Sequence, residues 1–131
     1  MPTPALSDTI TDGIRVGATA FFLPHESDPD RKRFVFGYRI VIMNEGTRTA
    51  TLRARHWTII DADGNVEEVQ GEGVVGEQPR LPPTQAFKYT SYCPLKTPWG
   101  TMEGIYHFER EDGTLFDVKI GRFYLAMDKA E

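Results

Sequence analysis

The chain has 131 residues, 40% hydrophobic and 26% charged, with a net charge of −4 and an isoelectric point near 5.4. That length fits one domain, which buries roughly two-thirds of its unfolded surface and so needs no disulfide or metal to hold a core. The acidic balance argues against a general nucleic-acid binder, whose affinity comes from a basic footprint, and no apolar run approaches the ~18 residues of a membrane span.

In chain order, residues 1–12 lack the basic and apolar regions of a secretory signal and read as a flexible tail. Ile14, Val16, Ala18, Ala20 and Phe22 alternate with less apolar neighbours, the pattern of a half-buried strand. Residues 24–32 form a polar loop. Residues 34–43 are apolar on both faces, as a central strand is. After a turn at 44–47, a strand over 49–60 carries Trp57 as a core residue. Its apolar positions change from even to odd, which a bulge would reconcile. A turn at 61–65 leads to a short returning strand at 66–70.

Prolines after the glycine-rich stretch exclude a central strand there. Further strands follow at 85–92, 100–110, 115–120 and 122–127, with a loop at 93–98, a hairpin turn at 111–114, and a charged tail at 128–131. No window shows a helical period. These short strands and regular turns predict an all-β fold, a fibronectin type III-like or immunoglobulin-like antiparallel β-sandwich of about seven or more strands, as a single domain over 13–127. The single cysteine, Cys93, rules out an immunoglobulin-type disulfide and fits a reducing, cytoplasmic setting.

Chemistry is concentrated between Arg55 and Pro79. Gly71, Gly73 and Gly76 form a Gly-x-Gly-x-x-Gly run. In a dinucleotide-binding fold such a run opens a helix whose N–H groups hold a pyrophosphate. Here Pro79, Pro82 and Pro83 follow, so no helix starts, and Glu67, Glu68, Glu72 and Glu77 would repel a dianion. Bulges and close backbone crossings use glycine in the same way. The Asp61-x-Asp63-x-Asn65 spacing imitates a calcium loop, yet Val66 stands where glycine is required, and a hairpin turn explains it. His25, His56 and His107 show no paired ligand spacing, and neither Cys93 nor Ser91 has a catalytic context. No catalytic residue, metal site or cofactor is expected.

Five segments in order give a specific resemblance: Ser27-Asp28-Pro29, Arg55-His56-Trp57, the Asp63-Gly64 turn, the VxGxGVVGxxP run from Val69 to Pro79, and YTSxCPL from Tyr89 to Leu95. Over about residues 13–125 the chain resembles the ApaG family. The resemblance implies a fibronectin type III-like sandwich with no established catalysis. The family occurs as small bacterial proteins and as a protein-interaction module appended to larger eukaryotic ones. It also implies links to cobalt resistance and magnesium efflux, and a genetic neighbourhood with diadenosine-tetraphosphate hydrolysis. Tyr92 and Trp99 depart from the family pattern, and both fall in the loop around residues 93–98.

Two functions follow as expectations. The first is a non-catalytic module for an unidentified protein partner, or a homodimer, with Tyr92 and Trp99 as interaction candidates and only indirect links to divalent-cation homeostasis. It would use an edge strand, or one loop end carrying residues 71–76 and 93–100. The alternative is an anion-binding domain for pyrophosphate or a dinucleoside polyphosphate. Gly71, Gly73 and Gly76 would supply amides, and Arg55, His56 or Arg80 would fold over them. Arg80 pointing away, with Arg55 buried in a structural pair, would count heavily against that alternative.

Overall fold

A computed structural model describes residues 6–127; the expected charged tail at 128–131 lies outside the described residues. Among the described residues nine strands follow one another: β1 (Leu6–Thr11), β2 (Ile14–Phe22), β3 (Phe34–Asn44), β4 (Ala50–Asp61), β5 (Val66–Glu72), β6 (Arg80–Leu81), β7 (Ala86–Leu95), β8 (Trp99–Arg110) and β9 (Leu115–Ala126). Two single-turn 3-10 helices, Pro24–Glu26 and Pro29–Arg31, shape the polar loop, each with proline in its first turn. One sheet has the order β1-β2-β3-β7 and the other β5-β4-β8-β9, with β6 pairing at the start of β4; every pairing is antiparallel. The expected sandwich is therefore present.

Alternation builds its interior. Ile14, Val16, Phe36, Ile40 and Ile42 from one sheet meet Leu52, Trp57, Phe108, Ile120 and Phe123 from the other, all at most 2% exposed. Trp57 packs edge-on against Tyr38, Tyr106 and Phe123 at centroid distances of 5.4, 6.3 and 6.0 Å. The β4–β8 register shifts between Leu52 and Ala54. The extra residue, Arg53, turns the inward set from Ala50 and Leu52 to Trp57 and Ile59, which is the bulge the sequence pattern demands.

Two expectations change. Residues 1–12 are not a tail throughout, because Leu6–Thr11 is a strand. It pairs with β2 through a two-residue turn in which Asp12 and Gly13 sit at φ 47° and 85°. Ser7 Oγ donates to the Gly121 carbonyl and Thr9 Oγ1 to the Lys119 carbonyl, tying β1 to β9 across the two sheets. Residues 93–95, expected in a loop, complete β7, and the two last strands are one, β9.

One edge of the sandwich is thus closed by β1 and β9. At the other edge β5 and β7 end their sheets, and a groove opens between them.

Candidate functional site

The groove begins with the glycine run. Val74 N–H donates to the Glu77 carbonyl and Glu77 N–H to the Val74 carbonyl, closing a two-residue turn with Val75 at φ 44° and Gly76 at φ 83°. Both central residues have positive φ, the turn geometry that suits the right-handed twist of a hairpin. Gly73, at φ 61°, donates its N–H to the Arg53 carbonyl, and a Cβ there would lie 2.2 Å from the Glu77 carbonyl oxygen. A Cβ on Gly71 would come within 2.9 Å of the Arg55 guanidinium. Each glycine of the run has a structural reason: room for Arg55, room for a carbonyl, and a left-handed turn position. The amides of Gly73, Val74 and Glu77 are committed to carbonyls.

Arg55 lies opposite Gly71 in the β4–β5 ladder and faces inward with Trp57 and Ile59. Its Nη1 donates to the Glu72 carbonyl at 3.0 Å and the Gly73 carbonyl at 2.9 Å, fastening the hairpin to β4. A cavity of about 260 Å³ beside it is lined by Tyr38, Trp57, Val74, Gly76, Tyr89 and Ser91 among others. A second of about 240 Å³ continues past Val69, Tyr92 and Met102 toward Glu67.

Three tyrosine hydroxyls gather near the Arg55 charge. Burial raises the pKa of Tyr38, Tyr89 and Tyr106, and Arg55 draws each partly back by stabilising the phenolate. The Tyr89 and Tyr106 hydroxyls share a hydrogen bond, and Ser91 bonds Tyr38 across the β3–β7 pair. Cys93 is buried in the same wall, its thiol pushed up to about 12 by burial and then by Glu67. Near neutral pH it is therefore a protonated, unreactive group.

The other sequence candidates lie elsewhere. His56 alternates with Arg55 and faces out from the sheet; its Nε2 is 3.4 Å from Glu68 Oε2 but makes no hydrogen bond. Arg80 points away from the glycine run and pairs with Glu111 in the β8–β9 turn. Residues 71–76 and 93–100 are not one loop end. Gly73 meets Arg53, whereas Gly100 pairs with Asp61. The eight-residue offset along β4 is roughly 26 Å.

Nor do Tyr92 and Trp99 share a loop. Tyr92, 64% exposed, belongs to β7 and stands at the mouth of the groove. Trp99 opens β8 and stacks nearly flat on Tyr124 beside Met127, a separate exposed apolar patch.

Tyr38 and Tyr106 belong to the buried core and Tyr89 packs against it, yet their hydroxyls turn toward Arg55, which the strand pattern did not indicate. The available signal was chemical: Tyr38, Tyr89 and Tyr106 carry hydroxyls where phenylalanine would fill the same space. The carboxylate of Asp61 is occupied by its own turn, accepting from the Asp63 and Asn65 amides. Among the described residues no group of three or more His, Cys, Asp or Glu side chains could hold a metal ion, and no helix is long and apolar enough to cross a membrane.

Known proteins match this architecture closely. The ApaG domain model matches residues 24–110. A protein ApaG from Brucella anthropi is 50% identical over 116 residues, covering 88% of this chain and 89% of its own. One from Aromatoleum aromaticum is 51% identical over 116 residues, with coverages of 88% and 91%. The crystal structure of an ApaA protein from Bordetella pertussis superposes with a TM-score of 0.83 at 44% identity, covering 96% of this chain and 98% of that one. A sandwich that matches at the level of sequence, length and fold in this way makes the chain a member of the ApaG family.

Proposed function

We propose that this domain is a non-catalytic protein-interaction module that works through its open edge. The observation carrying this reading is the asymmetry of the sandwich: side chains of β1 tie it to β9, while β5 and β7 border a lined groove. Unpaired strand edges take up a further strand readily, and a second copy of the chain is one such source. Tyr92 at the groove mouth has the character of an interface anchor, as does Trp99 on its own patch. The Cys93 thiol and the buried phenols of Tyr38 and Tyr89 that line the groove are shifted away from reactivity near neutral pH, which supports a binding role over catalysis. The unpaired Cys93 suits a reducing compartment such as the cytoplasm. Any tie to cobalt or magnesium handling would then run through the partner.

The anion-binding alternative has one observation in its favour, the reach of Arg55 to the glycine run. Against it stand the committed amides of that run and the pairing of Arg80 with Glu111.

The test is retention of proteins from the source cell's lysate by the immobilised chain, with Tyr92→Ala and Trp99→Ala alongside. A specific protein should be retained and lost at least tenfold with one variant whose melting temperature stays within ~3 °C, a shift small for a domain of this size. Retention of nothing, or loss only where the domain also unfolds, overturns the reading.

A further inference from the structure

The groove is polarised along its length. Arg55 stands at one end, opposite Gly71. Both of its carbonyl bonds come from Nη1, leaving the Nε and Nη2 donors free of them. Glu67 stands at the other end, opposite Ile59 on the same inward row, close enough to act on Cys93 across the gap. Neither Arg55 nor Glu67 has an ion-pair partner among the described residues. Between them Val69, Trp57 and Met102 give an apolar floor. The separation is four residues along the strand, roughly 13 Å.

A strand added to the outer edge of β5 would continue an antiparallel sheet, so it would run from the Arg55 end toward the Glu67 end. Its alternate side chains would fall on the groove side. Charge complementarity then fixes its chemistry. We propose that the groove takes an extended peptide segment with an acidic residue, an apolar residue two positions later, and a basic residue two positions after that. The acid would meet Arg55, the apolar side chain would lie over Val69 and Trp57, and the base would meet Glu67. This rests on the reading of the domain as an interaction module and names the class of partner it reads. A free dianion is the poorer occupant, because Glu67 and Glu72 border the groove and repel it while leaving a locally neutral acid–base strand unopposed.

The test is a titration of the full chain, followed by backbone amide shifts, with blocked seven-residue peptides. The matching probe is acetyl-Thr-Glu-Thr-Val-Thr-Arg-Thr-amide. Its controls are the charge-reversed acetyl-Thr-Arg-Thr-Val-Thr-Glu-Thr-amide and inorganic pyrophosphate. Saturable shifts along β5 and at Tyr92 are expected, with a midpoint at least fivefold lower for the matching probe than for the reversed one. Glu67→Gln, an exposed change that spares the core, should reduce that preference to under twofold. Equal response to both peptides, no shifts at millimolar peptide, or tighter saturation by pyrophosphate at the same amides overturns the proposal. Should the peptides fail while a lysate protein is still lost with Tyr92→Ala, this inference alone falls; if neither responds, the interaction reading falls with it.

Discussion

Val75 holds a backbone conformation that a β-branched residue adopts at a cost. Its φ of 44° sits in a turn normally filled by Asn-Gly, and its side chain is 52% exposed, so no burial offsets the strain. Val75→Asn is expected to stabilise the domain by about 1 kcal/mol. Gly73→Ala should destabilise it by more than about 2 kcal/mol, because a Cβ would collide with the Glu77 carbonyl in a strained backbone. Gly76→Asn should cost under about 1 kcal/mol, since that site is open and Asn tolerates left-handed φ. Urea midpoints of the three variants check the order. The pattern that looks like a phosphate loop in one dimension is thus a hairpin whose glycines admit a guanidinium, a carbonyl and a tight turn. Nothing in the letters Gly-x-Gly-x-x-Gly separates these uses; the contacts of Arg55 and Glu77 do.

Among the elements, β1 shows how a polar edge strand escapes a periodicity argument. Its residues alternate only between exposed and half-exposed, because it gains its place from β2 on one side and from β9 across the sandwich. Asp12-Gly13 was the legible signal, a dipeptide that favours a two-residue hairpin turn. Removing residues 1–11 should lower stability by at least about 2 kcal/mol, from the side-chain hydrogen bonds of Ser7, Thr9 and Thr11 to β9 and a lost ladder. By contrast, the bulge in β4 was readable in advance. Leu52 and Trp57 cannot both face the core on one uninterrupted strand, so an extra residue between them was required.

For the whole molecule, burial of ionisable groups on the groove wall couples stability to pH. Cys93 is raised from 9.0 to about 12 by burial, so the native state keeps a proton that the unfolded state releases above pH 9. Its contribution is complete below about pH 9 and is lost as pH rises toward 12, at roughly 1.4 kcal/mol per pH unit. Tyr38, Tyr89 and Tyr106 are shifted the same way and steepen the loss above pH 10. Denaturation midpoints at pH 8 and pH 10 should fall accordingly, and Cys93→Ala should flatten the slope while lowering stability at both values. A slope equal to the parent's would mean that the thiol ionises as freely in the native state as in the unfolded one.

Sequence alone determined the all-β class, the sandwich and the family, because strand alternation, turn residues and ordered motifs are local properties of the chain. It also placed Arg55 and the glycines in one hairpin, since they are near neighbours along it. Only the tertiary structure decided that His56 and Arg80 leave that site, that Tyr92 and Trp99 part company, and that Tyr38, Ser91 and Glu67 join Arg55. These follow from which face each strand presents and which two edges the sheets leave open. Both are set by pairings between segments far apart in sequence, and the energy that selects them lies in the packed core and not in any one stretch of residues.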